Sequence, residues 1–381
     1  MMNDVGCRRC LPVARTLAVA MVLASAGTPA HGQVAPMSCG VPAAETRWLA
    51  ESYTATHTYG LGDEEWIESY GGLAAAGDSV FLYDQLGRRI VHLSGELEER
   101  HAFGREGEGP GEFYSPIPLS WLDDLFEGHV AFNGRQLVVY DRLRLASFDP
   151  SGEHRWSARR PATTVREGVR FVSPVAEGQM IFGVDSLDFT SRHLALWRVG
   201  RTDPHHHELL WQRPVPWRSG NDPFPMLRTR EAASRWARYR DCVVVSDGGR
   251  RFLWVVDLST LETDSVALPE WEVPAFGEVP IDRGVMNFGG REVQRESQGP
   301  ALLSRWRGLI VDPDGHAWIR AWTEARDEFE VIVVSLASGQ SRRLVNPPGF
   351  PTAFGPPGVF YTALTKPETD EQYLVRFEGE R

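Results

Sequence analysis

The side chains in this chain with types and spacing suited to chemistry are aspartates, histidines and arginines. Asp84, Asp141, Asp185 and Asp247 each follow an apolar, β-rich run, so they occupy matching places. A ring of such carboxylates around an axis would hold Ca2+, which takes oxygen ligands. Aspartate at a turn also accepts backbone N–H bonds. Repetition favours that structural role, with Arg89, Arg144 and Arg251 as the expected partners. His129 and His316 each stand just ahead of an apolar run and are the histidines placed to ligate Zn2+. A catalytic zinc takes three protein ligands, and no matching third or fourth position emerges. Asp203-Pro204-His205-His206-His207-Glu208 is rich in ligand types. Neighbours on one turn do not converge on one tetrahedral ion, so this run reads as a solvated loop. The chain holds neither GxSxG nor HExxH.

A second group is the loop GREGEGPGEF, from Gly104 to Phe113. Its glycines expose backbone N–H groups, as a phosphate cradle does. No Gly-Lys-Ser/Thr follows, and Glu106, Glu108 and Glu112 would repel phosphate. The glycines are better read as serving positive φ in a turn.

The elements that must position these residues are repeated. VFLYDQLGRRIVHLSGE (80–96) and LVVYDRLRLASFDPSGE (137–153) match at Tyr-Asp and at Ser-Gly-Glu, with an offset of 57 residues. Such a period marks repeated supersecondary units. Short β-rich runs between polar turns continue through Met180–Val184, Cys242–Ser246, Ala317–Trp322 and Val359–Leu364. They read as strands rather than helices. The sixth unit lacks an outer strand, and an open edge is a liability. Trp48–Tyr59, β-rich and ahead of unit one, is expected to supply it and close a ring. The fold class is therefore all-β: a six-bladed β-propeller of four-stranded blades over 48–381. Insertions are expected at about 214–240 and 269–305, the first with a short helix in EAASRWARYR.

FGREGEGPGEF followed by Ser115-Pro116 resembles the blade junction of NHL-type repeats and of related bacterial six-bladed, TolB-like propellers. LYDQLGRRIVHLSGE and GLIVDPDGHAWIRAW (308–322) are similar to their strands and turns. The resemblance is carried by units one, two and five. It implies a fold whose members include binding modules, scaffolds, lyases and lactone hydrolases, so it does not set the function. Blade junctions of such propellers share the ring face that usually binds. That makes Arg105 and Glu106 ligand-binding candidates, with Trp322 at a strand end and Arg228, Arg230 and Arg291 in the insertions. Arg235 and Arg238 lie in the first insertion too. Trp306 and Trp318 read as core.

Net charge is -11, which disfavours nucleic acid and anionic membrane surfaces as partners. Arg8, Arg9 and Arg15 precede the apolar run Thr16–Ala26, and small residues follow. That order reads as a secretory leader over 1–32, cut after 26 or 32, with 33–47 as a linker. The run is too short to span a bilayer. After cleavage Cys39 and Cys242 remain, and an oxidising compartment permits but does not require their pairing. The expectation is a monomeric periplasmic or secreted propeller that binds a small molecule or a protein, with no catalytic set and no required cofactor. The alternative is a metal-dependent, lactonase-like hydrolase or lyase using Ca2+ or Zn2+ in the central funnel.

Overall fold

The computed structural model describes residues 52–61, 67, 70–113, 129–141, 144–159, 167–176, 178–187, 192–215, 234–246, 252–269, 306–322, 329–345, 347–366, 369 and 371–379, and the backbone of short strands at 18–20, 285–288 and 291–294. Six antiparallel sheets form a ring of blades. Blade 1 runs outward through Tyr70–Ala76, Ser79–Asp84, Arg89–Ser94 and Glu99–Phe103. Blade 2 uses His129–Phe132, Leu137–Asp141, Arg144–Phe148 and His154–Arg159. Blade 3 uses Glu167–Pro174, Gln179–Leu187, Arg192–Gly200 and Asp203–Val215. Blade 4 uses Arg235–Tyr239, Cys242–Ser246, Phe252–Asp257 and Thr263–Ala267. Blade 5 uses Trp306–Val311, His316–Trp322, Phe329–Ser335 and Ser341–Val345. Blade 6 is built from Ala353–Phe354, Val359–Thr365, Gln372–Gly379 and, as its outer strand, Ser52–Tyr59. The chain therefore closes its ring as the sequence predicts. Three more residues, Ala18–Ala20, pair with the outer edge of Ser52–Thr54.

The core is divided among the blade interfaces. Six clusters of buried side chains each draw on two consecutive blades. In Ser79–Asp84, Val80 and Leu82 face blade 6, while Phe81 and Tyr83 face blade 2. Both faces of a second strand are dry, so it reads VFLY, LVVY or CVVV without polar alternation. Burial on two faces produces such continuous apolar runs. Close packing leaves little room where neighbouring blades meet. A Cβ at Gly183 would stand 2.8 Å from the Trp236 ring of blade 4.

Two expectations are corrected. EAASRWARYR is not helical where it is described: Arg235–Tyr239 is the innermost strand of blade 4. Trp236 packs toward blade 3 and Ala237 and Tyr239 toward blade 5, an alternation of period two that only a strand provides. Asp203–Glu208 is not a loop either. It opens the outer strand of blade 3, with His207 accepted at the Arg159 carbonyl (3.2 Å) and set edge-on to Phe182. The second insertion contains a hairpin, Val285–Phe288 with Arg291–Gln294. Among the described residues there is no helix.

Candidate functional site

Antiparallel blades put two sets of connections on opposite ring faces. Segments that join one blade to the next share a face with the turns after each second strand. This junction face carries Asp84, Asp141, Trp322 and the loop 104–113. The ion pair of Arg88 with Glu106 joins the second-strand turn of blade 1 to that loop. The other face carries the turns between first and second and between third and fourth strands.

The junction loop is tied from within. Gly107 N donates to the Phe113 carbonyl (2.9 Å), and Phe113 N to the Arg105 carbonyl (2.7 Å). Gly109 N donates to Glu112 Oε2 (2.8 Å). Arg144 reaches across from blade 2 and donates to the carbonyls of Glu108 (3.1 Å), Gly109 (2.9 Å) and Glu112. The loop thus turns three carbonyls onto a guanidinium and spends N–H groups internally, the reverse of an anion cradle. Gly104 lies at φ 92°, and a Cβ there would collide with the buried Phe113 ring. Glu112 also accepts from Arg105 Nε (2.7 Å). The Gly109 N–H and then Arg105 hold its carboxyl below the usual range. Arg105 is 80% and Glu106 56% exposed, so both predicted candidates line this face in ion pairs.

The aspartates serve as local ties. Asp84 is buried, accepts from Gly87 N (3.2 Å), and pairs with Arg89 Nε (3.2 Å), as expected. Asp141 stands opposite Arg144 in the register and accepts the Tyr83 hydroxyl from blade 1. Asp185 accepts Ser234 N (3.0 Å), which joins blade 3 to blade 4. Asp247 and Arg251 lie outside the described residues. The two histidine candidates are on different faces. His129 begins the inner strand of blade 2 at the junction face, with Nε2 3.2 Å from the Val169 carbonyl. His316 begins a second strand on the opposite face and is buried, with Nδ1 3.0 Å from Asp312 Oδ2. The same carboxylate accepts Trp318 Nε1 (3.0 Å), which makes Trp318 a core residue held by a turn. Among the described residues no three His, Cys, Asp or Glu side chains are grouped to hold a metal ion.

Of the other candidates, Arg228 and Arg230 lie outside the described residues. Arg291 is placed by its backbone opposite Phe288 in the inserted hairpin. Trp322 is placed by its backbone opposite Phe329 at the junction face. Sequence reasoning missed one arginine and misplaced another. Arg170 sits at a one-residue bulge between Val169 and Phe171 near the junction end of the inner strand of blade 3. Arg235, assigned to an insertion, opens the inner strand of blade 4 at that same end. Arg238 lies nearer the opposite face, where burial lowers its guanidinium to about 10 and Asp241 stands 3.4 Å away. The signal that would have found Arg235 is the alternating Trp236–Tyr239 pattern.

No family model and no curated protein matches the chain. Solved structures match its shape. A Bacteroides fragilis protein named as exported aligns with TM-score 0.53 at 8% identity, covering 86% of this chain and 96% of that one. A member of the duf4221 family from Bacteroides vulgatus aligns with TM-score 0.53 at 10% identity, covering 87% and 97%. At such identity the likeness is one of fold, and the fold it supports is the six-bladed β-propeller seen in the blades themselves.

Proposed function

We propose that the protein is an exported binding module that takes a small molecule or a protein partner at the junction face of the ring. The observation that carries this reading is the placement of its long connections. The segments 216–233 and 270–305 each leave an outer strand, at Val215 and after Ala267, and each enters the next inner strand, at Arg235 and Trp306. Both are therefore rooted on the face that carries Arg105, Glu106 and Trp322. Long connections inside a compact domain are usually functional, and loops on a rigid scaffold are where binding residues concentrate. The leader-like N-terminus supports export, and the B. fragilis structure named as exported is of the same fold. No helix among the described residues is long and apolar enough to cross a membrane.

The test is a thermal-shift screen of the mature protein against metabolites and metal ions, with hydrogen exchange mapping any hit. Protection concentrated in peptides from 104–113 and 234–239 is expected. A tightly held metal ion together with turnover of a lactone would replace this reading with the hydrolase.

A further inference from the structure

The inner strands end at the junction face in a run of basic residues on consecutive blades. Blade 2 contributes His129, blade 3 Arg170 and blade 4 Arg235. Blade 5 places Arg307 in the same register, at a bulge between Trp306 and Gly308. In blade 1 the equivalent bulge falls on Gly71. The basic residues thus stand on neighbouring inner strands near the same end of the ring.

The surroundings of Arg170 and Arg235 are held in place. The residues that follow them, Phe171 and Trp236, stack with ring centroids 6.4 Å apart and fix the two strands against each other. Trp236 Nε1 donates to Ser234 Oγ (2.7 Å), and Ser234 N to Asp185 (3.0 Å). Arg235 Nη1 donates to the Ser234 carbonyl (3.2 Å). His129 Nε2 reaches the Val169 carbonyl, one residue before Arg170. A guanidinium carries five N–H donors in a fixed fork. It can keep protein contacts and still share donors with an incoming oxyanion. Half-buried arginines on neighbouring strands suit carboxylate or phosphate, which they bind bidentately.

We infer that the mouth of the ring at the junction face binds a carboxylate- or phosphate-bearing small molecule through Arg170 and Arg235. This rests on the binding-module reading and names its ligand class. A polyanion is a poor fit, because the chain carries net charge -11.

Titration calorimetry on the mature protein with citrate, inorganic phosphate and glucose tests it. Saturable binding of citrate or phosphate and none of glucose is expected; which of the two binds tells carboxylate from phosphate chemistry. Arg170→Gln and Arg235→Gln should each weaken that binding at least tenfold. Arg343→Gln, on the outer strand of blade 5 and paired there with Glu330, should leave it unchanged. Circular dichroism reports folding, and Arg170→Lys with Arg235→Lys replaces any variant that fails to fold, with weakened binding again expected because lysine lacks the fork. No saturable anion binding, or equal losses in Arg343→Gln, overturns the inference. If a neutral ligand instead protects 104–113 in hydrogen exchange, the anion assignment falls while the binding module stands. If none of the three binds, the anion assignment falls, and the small-molecule reading falls with it only if the metabolite and metal-ion screen is also empty.

Discussion

Tyr53 and Tyr59 lie on one strand at an even spacing, yet they face opposite blades. Tyr53 is buried against Trp318 of blade 5, with Phe360 of its own blade at 4.9 Å. Tyr59 is buried with Leu82 and Leu93 of blade 1 and donates to Glu99 (2.7 Å). A plain strand would set both on the same side. The register shift between Ala55 and His57, opposite Phe377 and Arg376, supplies the missing half-step. One strand thereby closes the ring and fills two blade interfaces.

Tyr53→Ala and Tyr59→Ala should therefore each destabilise the protein strongly, by about 3–5 kcal/mol, as for a buried aromatic. Deleting 52–59 should abolish cooperative folding, because it exposes the edge of Gln372–Gly379 and opens both interfaces. Urea denaturation followed by tryptophan fluorescence measures both effects. An unchanged midpoint in either tyrosine variant would refute the closure argument.

Arg144 is the next point of leverage. Its guanidinium reaches from blade 2 and satisfies the carbonyls of Glu108, Gly109 and Glu112. Arg144→Ala should cost about 2 kcal/mol, the scale of bonds to a charged group. It should also speed amide exchange at Gly107, Gly109 and Phe113. Arg144→Lys should restore little, since one ammonium does not reproduce the planar fork. Exchange rates in 104–113 equal to wild type would show that the loop holds itself.

How much was legible follows from which physics repeats. Two-faced burial writes VFLY, LVVY and CVVV into the chain, and those runs located the second strands. The Asp-Arg pair at 84 and 89 was legible because both residues sit at the ends of one hairpin. Arg144 was only half legible: its register partner Asp141 is local, but the carbonyls it holds are more than thirty residues away. The inner strand at Arg235–Tyr239 was hidden by helix-forming neighbours in EAAS, and its burial comes from two blades that are distant in sequence. The bulges at Arg170 and Arg307 leave no mark in local spacing. For that reason the basic residues near this end of the ring emerged only from the pairing of strands.

Cys242 offers a covalent test of the N-terminal reading. It is fully buried and disulfide-bonded, with a partner outside the described residues. The remaining cysteines are Cys7, Cys10 and Cys39. If the leader is removed after 26 or 32, Cys39 alone is left. A non-reducing digest of the exported protein should then yield a Cys39–Cys242 peptide. Closing a loop of roughly 200 residues is worth about 5 kcal/mol in the chain-entropy account. Cys39→Ser should accordingly lower the melting temperature by several degrees. A free Cys39 thiol in the mature protein would rule the pairing out.

The last prediction concerns acid. His92 is buried, stacked on Phe81 at 4.4 Å and edge-on to His101, with Nε2 3.1 Å from Ser79 Oγ. Burial first, then the neighbouring His101 and Arg100, push its pKa down from 6.5 to about 4. The unfolded chain takes up this proton near 6.5, while the folded chain resists it until about 4. Between those values the unfolded state binds more protons, so stability falls as pH falls. The contribution is complete above 6.5 and gone below about 4, amounting to at most about 3 kcal/mol. His154 and His207 are shifted down by burial as well and act in the same direction. Melting temperatures at pH 7, 5.5 and 4 should decline across this window, and His92→Gln should flatten the decline. Carboxylates held below their usual range, such as Asp149, lose their contribution only at lower pH, so they do not mimic the histidine step. A His92→Gln profile parallel to wild type between pH 7 and 4 would show that the buried imidazole is not the group responsible.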